Sequence, residues 1–440
     1  MIQVEGPREP KTASPRAVAR SGYLEEEYLV SGTADLYGYD DAWETVLFRS
    51  DVPFTTRLLV RRPADAAVAS GDVLLEPLHP SMDMASAWPR LGQALLKAGW
   101  SWIGVTQHPM GLAATQASDP QYADLNVPDA GLGFDILSQV ATWVRAHGLP
   151  GLRLDHLFMS GASHTGTFQR VFLADGFHQR ARRPDGGPAV EGYLIQISSG
   201  AFMLGGYHQL HEGASVPPAG DRRRVIGPLD VPVIELLSEG EAETNRDARR
   251  ADSDEPGDRY RLYEVPGAAH MSRRDPLSHA LPETVEEASD FPMPILAGAA
   301  LRHLRRWAVD GVAPPHADRL TNLSGEENAP RGGRGEALPL LRDEHANALG
   351  GVRTPELDVP IASYYPHSTL IGGGEGRPGF QGDLMGSMTR FSQEKLRSLY
   401  GSPEHYRKEF DASVSRLVDE GWIDEAEAAE WRARAAQVSF

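Results

Sequence analysis

The stretch Phe158-Met159-Ser160-Gly161-Ala162-Ser163-His164-Thr165-Gly166 decides how this chain is read. An apolar strand, HLFMSG (156–161), runs into Gly-x-Ser-x-x-Gly and then, with no loop between, into the helical pattern SHTGTFQRVFLADGF. A serine on so sharp a strand-to-helix turn needs small flanking residues. Its neighbouring N–H groups then lie at the head of a helix, where developing negative charge is favoured. This is the setting of a nucleophile elbow. The second glycine stands at 166, one place later than usual, with Thr165 before it. The alternative reading is a tight turn with a capping serine.

A serine nucleophile needs a base, and the base needs an orienting acid. On this kind of scaffold the chain order is serine, acid, histidine. The apolar run VPVIELLS (231–238) ends in Glu239-Gly240-Glu241, and YRLYEVPG (260–267) leads through Ala268 and Ala269 to His270. Counting from the strand end favours Glu241 as the acid that holds His270. Glu239, nearer the strand, is the other candidate, because Gly240 lets the loop turn either carboxylate inward. Of the two oxyanion donors required, one is expected from the N–H of His164. The other is expected from the loop His79-Pro80-Ser81-Met82-Asp83-Met84, with Ser81 and Met82 as candidates. His79, Asp83 and His208 are the candidates for touching substrate.

Outward from this site, strands alternate with helices. GDVLLEPLH (71–79), SWIGVTQ (101–107), HLFMSG, GYLIQIS (192–198), VPVIELLS and YRLYEVPG are short apolar runs. Between them lie SAWPRLGQALLKAGW, stopped by Gly99, and GFDILSQVATWVRAHG, closed by Gly148. Such alternation signals an α/β fold with a mostly parallel central sheet and helices on both faces. Three β-type runs at 27–37, 44–50 and 55–63 add antiparallel N-terminal strands. Residues 1–22 read as a flexible leader, 23–312 as the core, and 313–440 as an irregular and helical extension packed on it. The 107–130 and 200–230 stretches read as loops, the second lid-like.

Composition narrows the function classes. Lys and Arg number 43 against 61 Asp and Glu, a formal charge of −18. So acidic a chain is a poor partner for nucleic acid or anionic lipid. Having no cysteine, it has no disulfide, thiolate metal site or cysteine nucleophile. No apolar run reaches the roughly 18 residues of a membrane span, and the first residues lack a signal-peptide pattern; a cytoplasmic location is the expectation. His208 and His211 are spaced for one helical turn but lack a carboxylate at a zinc-site spacing, so no metal or cofactor is expected. The glycine run GGGEGRPGF (372–380) has neither the strand nor the helix of a dinucleotide fingerprint.

The sequence resembles the α/β-hydrolase fold. More narrowly, it resembles a little-characterised bacterial group of alpha/beta hydrolase domain proteins. The residues that carry this are SGTADLYGYD (31–40), DVPFTTRLLVRRP (51–63), GASHTG (161–166), LLSEGE (236–241), RLYEVPGAAH (261–270) and DEHANALGGVRTPELDVPIASYY (343–365). The resemblance spans about 23 to 435 and implies a reaction class rather than a substrate. Members usually carry Gln where His164 stands. The expectation is a serine hydrolase that cleaves a small-molecule carboxylic ester or lactone through an acyl-enzyme on Ser163. Its rivals are an acyltransferase or cyclase with the same triad, and a non-catalytic binding protein on this scaffold.

Overall fold

The computed structural model describes residues 2–11, 15–81, 83–198, 208–218, 221–245, 248–275, 283–322, 340–371 and 384–440. The chain divides into two compact units: residues 1–233 with 253–260, and residues 234–252 with 261–440.

The first unit opens with β1 (Gln3–Arg8), α1 (Pro15–Arg20), β2 (Tyr23–Tyr39) and β3 (Thr45–Pro63). The expected leader is therefore corrected at its start. Residues 3–8 pair antiparallel with β2, which gives their backbone groups partners. The three β-type runs resolve into two long strands. Residues 45–50 and 55–63 fall in one of them, and Asp51, at φ 57°, lies in the first of two irregularities in that strand's register with β2. Its N–H donates to the Asp35 carboxylate at 2.9 Å, so an apparent turn is a bulge within β3.

Next come β4 (Asp72–Pro77), α2 (Trp88–Ala98), β5 (Ser101–Val105), α3 (Pro109–Ser118), α4 (Leu132–His147), β6 (His156–Ala162), α5 (His164–Ala174), α6 (Phe177–Arg180) and β7 (Gly192–Gln196). The strand order is β1-β2-β3-β5-β4-β6-β7. Pairing is antiparallel as far as β5 and parallel from β5 through β4 and β6 to β7. The parallel strands β4, β5 and β7 are buried along their whole length, which is why they read as apolar runs without alternation. Gly99 ends α2 in the left-handed region at φ 68°, where a Cβ would lie 2.1 Å from the Val68 carbonyl. The expected 107–130 loop contains α3. Its start is fixed by Pro109 in the first turn and by His108, whose Nδ1 accepts the Met110 N–H at 3.1 Å.

After β7 the chain forms β8 (Val233–Ser238) and runs straight into α7 (Glu239–Thr244). β9 (Ser253–Glu255) pairs antiparallel with the first residues of β10 (Asp258–Val265). In the second unit β8 and β10 are neighbours. They are followed by β11 (Glu287–Ala288), α8 (Met293–Arg305), α9 (Pro355–Asp358), β12 (Ala362–Tyr365), β13 (Ser387–Arg390), α10 (Gln393–Tyr400), α11 (Pro403–Asp419) and α12 (Glu425–Ala435). β11, β13 and β12 form a small antiparallel sheet. Within the second unit, parts of the 313–440 stretch pack against earlier elements. Leu320, Leu340 and Ala348 are buried together with Ala242 of α7. Arg302 of α8 pairs with Glu427 of α12 at 2.9 Å, and Trp431 of α12 donates to the buried Glu356 carboxylate at 2.9 Å.

Candidate active site

Ser163 links β6 to α5 with φ 58° and ψ −124°, a backbone conformation that a residue with a side chain rarely adopts. Holding it there costs about 1–3 kcal/mol, so the surroundings must enforce it. The Ser163 N–H donates to Gln196 O of β7 at 3.1 Å, and its carbonyl accepts the Thr167 N–H at 2.9 Å. A Cβ on Gly161 would sit 2.3 Å from the Thr165 carbonyl oxygen. One on Gly166 would sit 2.7 Å from the Ser198 Cβ and 3.0 Å from the Gln196 carbonyl. The late glycine is thus the one that lets α5 approach β7. Thr165 occupies the usual glycine position productively. Its Oγ1 accepts the Ala162 N–H at 3.0 Å, donates to the Ala162 carbonyl at 2.9 Å, and lies 2.7 Å from the Ser86 hydroxyl.

Ser86 belongs to the segment that leads into α2, and the fully buried Glu76 at the end of β4 holds that segment. Its carboxylate accepts from the Ala87 N–H at 2.6 Å, the Trp88 N–H at 3.0 Å and the Trp102 indole at 2.8 Å. Burial raises its pKa against these bonds. The loop between, 79–84, is closed by the His79 N–H donating to the Met84 carbonyl at 2.8 Å. Here two expectations are corrected. The Ser81 N–H donates to His79 Nδ1 at 3.0 Å and is engaged rather than offered to an oxyanion. Asp83 is not a substrate contact: its Oδ2 is buried and accepts from Arg57 at 2.8 Å, Thr106 at 2.6 Å and Thr115 at 2.9 Å. Arg57 in turn pairs with Glu27 at 2.9 Å, so Asp83 closes a buried ion-pair network under the loop. Met82 lies outside the described residues. The His164 N–H is the first of α5, where helix geometry supplies no acceptor.

The His164 ring is surrounded edge-on by three others. Ring centres lie 4.3 Å away for His208, 5.3 Å for His79 and 6.1 Å for His108. His208 Nε2 donates to the His164 carbonyl at 3.1 Å. Burial lowers the pKa of His164 to about 2 and that of His208 to about 4; the bond to the His164 carbonyl opposes the shift at His208, while the charges of the neighbouring histidines add to both. His211 parts company with His208 and stacks on Phe48 at 3.8 Å. Among the described residues no group of three or more His, Asp or Glu is placed to hold a metal ion.

In the second unit, His270 Nδ1 donates to Glu241 Oε1 at 2.6 Å. Glu241 Oε2 accepts the Ser238 N–H at 3.2 Å and the Ser238 hydroxyl. Burial pushes the Glu241 pKa up, yet the charge and hydrogen bond of His270 and the two bonds from Ser238 hold it below its ordinary value. Glu239 points elsewhere. Its Oε2 accepts the Gly267 N–H at 2.7 Å, its own N–H donates to the Ala268 carbonyl at 3.0 Å, and Oε1 pairs with Arg342. Glu239 therefore fixes the turn that delivers His270. That turn needs Gly267, at φ 74° with Leu357 Cδ2 3.0 Å from where a Cβ would stand.

The alpha/beta hydrolase domain family matches the chain over residues 2–433. The chain belongs to that family. No curated protein matches this alpha/beta hydrolase domain chain. Among solved structures it is similar to fungal esterases from Rhizomucor miehei, at 14% identity over 69% of this chain and 94% of that one, with a TM-score of 0.36. It is also similar to esterase Est22, at 13% identity over 51% and 67% of the chains and a TM-score of 0.31. A Pyrobaculum calidifontis esterase is similar at 11% identity, over 47% and 66%, with a TM-score of 0.26. Sequence reading of this alpha/beta hydrolase domain missed Glu76, Ser86, His108 and Arg342, and used Ser238 only as a strand end, without its bonds to Glu241. Only Ser238 had a local signal, as a small polar residue three places before a glutamate at a helix start.

Proposed function

We propose that the protein is a serine hydrolase of carboxylic esters or lactones. Ser163 attacks the carbonyl carbon and His270 takes its proton. Glu241 holds the imidazole with Nδ1–H toward the carboxylate, leaving Nε2 as the base. The tetrahedral oxyanion is stabilised by the His164 N–H at the head of α5 and by a backbone donor of the 79–84 loop. Collapse expels the alcohol, which takes the proton back from His270. Water then enters and attacks the acyl carbon as His270 removes its proton, and collapse releases the carboxylic acid while His270 returns that proton to Ser163 Oγ. Ser163→Ala removes the nucleophile, and the loss expected is about 10⁴–10⁶ in kcat.

The observation that carries this reading is the backbone of Ser163. A non-glycine residue is held at φ 58° between a buried parallel strand and a helix, and Gly161 and Gly166 are both required by close backbone approach. A helix cap needs no such strain, since capping serines take ordinary extended angles. The family supports the same reaction class. The Glu241–His270 pair supports a base oriented for proton transfer. The experiment is labelling with a fluorophosphonate, followed by mass mapping of the modified peptide. Adduct on Ser163, absent in Ser163→Ala, is the expected result. An intact protein that takes no label and turns over no p-nitrophenyl ester would overturn it.

A further inference from the structure

Three histidines from three separate segments surround the ring of a fourth, His164, the residue after the proposed nucleophile. Their hydrogen bonds fix their tautomers. His79 Nδ1 accepts from the Ser81 N–H and His108 Nδ1 accepts from the Met110 N–H, so in each neutral ring the proton sits on Nε2. His208 uses its own Nε2–H on the His164 carbonyl. His164 differs: its Nδ1 is buried with no hydrogen-bond partner among the described residues. A buried ring nitrogen with no partner among the described residues, one position from the proposed nucleophile, is one that an added hydrogen-bonding group would satisfy.

The cluster also indicates what kind of group this is. Among the described residues, the charges that act on His164 and His208 are those of the other histidines, with no guanidinium or ammonium among them. An anion brought here would lose its water without gaining a cation, and the chain as a whole carries −18. A neutral oxygen suits an array of neutral imidazoles, which both donate and accept. The part of the substrate that stays next to His164 is the acyl group held on Ser163, because the alcohol leaves with the proton returned by His270.

We propose that His164 and His108, with His79 and His208 behind them, form an acyl subsite for an uncharged oxygen, an ether or hydroxyl, carried a few bonds from the reacting carbonyl. The preferred substrates are then oxygen-bearing esters or hydroxyacyl lactones rather than plain alkyl esters. This rests on the serine hydrolase reading above.

The test compares p-nitrophenyl 3-methoxypropanoate with p-nitrophenyl pentanoate, which differ by one oxygen for one methylene. Each kcat/KM is divided by the rate of alkaline hydrolysis, and fluorophosphonate labelling of Ser163 is scored in parallel. Wild type should prefer the ether ester by about tenfold, the worth of one well-placed hydrogen bond. His108→Asn keeps a cap for α3 but lacks Nε2–H, and His164→Phe keeps a ring but lacks the nitrogens. Each should cut the preference several-fold. An equal rate on both esters, or a preference unchanged in both variants, overturns the subsite while labelling and turnover leave the hydrolase reading standing. Absence of labelling and of turnover on either ester overturns both.

Discussion

Glu241 Oε1 and His270 Nδ1 lie 2.6 Å apart, and the other oxygen of the same carboxylate is held by Ser238. Both oxygens are committed, so the ring has one orientation available to it. Glu239, two residues away, is committed just as fully to Gly267 and Arg342. The two carboxylates therefore fail differently when neutralised. Glu241→Gln should lower kcat about 10⁴-fold with little change in melting temperature, the usual cost of losing an orienting charge while geometry persists. Glu239→Gln should retain most turnover but lose about 2 kcal/mol, the worth of the charge-assisted bond to Arg342, which keeps the Ala346 carbonyl. Paired kcat and denaturation measurements check this, and a reversed ranking would transfer the orienting role to Glu239.

Ser163 should be a site where activity and stability oppose each other. Ser163→Gly relieves the strained φ of 58°, whereas Ser163→Ala does not. Both should be inactive, and the glycine variant should be more stable than the alanine variant by about 1 kcal/mol after its larger unfolded-state entropy is allowed for. Urea titration of the two proteins side by side measures the difference. Equal midpoints would mean that the turn is not under strain.

Asp83 is expected to act on folding rather than on substrate. Asp83→Ala removes one of the two carboxylates that pair with Arg57 among the described residues and leaves Glu27. A loss of about 3–5 kcal/mol is expected for breaking such a buried pair, with KM for the surviving folded fraction close to wild type. A raised KM at unchanged stability would restore Asp83 as a substrate contact.

His164 and His208 make the protein acid-sensitive well above the range where carboxylates titrate. Burial lowers their folded pKa values to about 2 and about 4, while the unfolded chain has imidazoles near 6.5. Between those limits the unfolded chain binds protons that the folded one refuses, so stability is full above about pH 6.5 and falls as the pH drops. The slope is about 1.4 kcal/mol per histidine for each pH unit. Melting temperatures at pH 7.5 and 5.5 should therefore diverge, and His164→Phe should narrow the gap. A variant with the same gap as wild type would show that His164 takes no part.

What could be read from the sequence was what local pattern dictates. The apolar strand, the glycines at 161 and 166 and the helix after Ser163 all lie within one short stretch. Counting onward from Ser238 led to the carboxylate that meets His270. What escaped reading was decided by partners distant in sequence. Residues 3–8 look like a leader until β2 supplies their ladder. DVPF (51–54) looks like a turn until Asp35 receives the Asp51 N–H. Asp83 reads as a polar loop residue because nothing near it betrays Arg57, and Glu76 reads as a strand residue although it grips the start of a helix ten residues on. The four histidines stand at 79, 108, 164 and 208, too far apart for any spacing rule to group them.

The ion pair between Glu239 and Arg342 joins positions 103 residues apart, and this bears on how such chains can be inherited. Glu239 is the dependent member: burial raises its pKa even with Arg342 present, whereas Arg342 is partly exposed and also donates to the Ala346 carbonyl. Descendants that keep Glu239 should keep Arg342. A chimera that exchanges the last third of the chain with a relative lacking the arginine should fail to fold its acid-bearing turn, and should regain it when position 239 is changed to match. Covariation of 239 with 342 across related sequences would record that history.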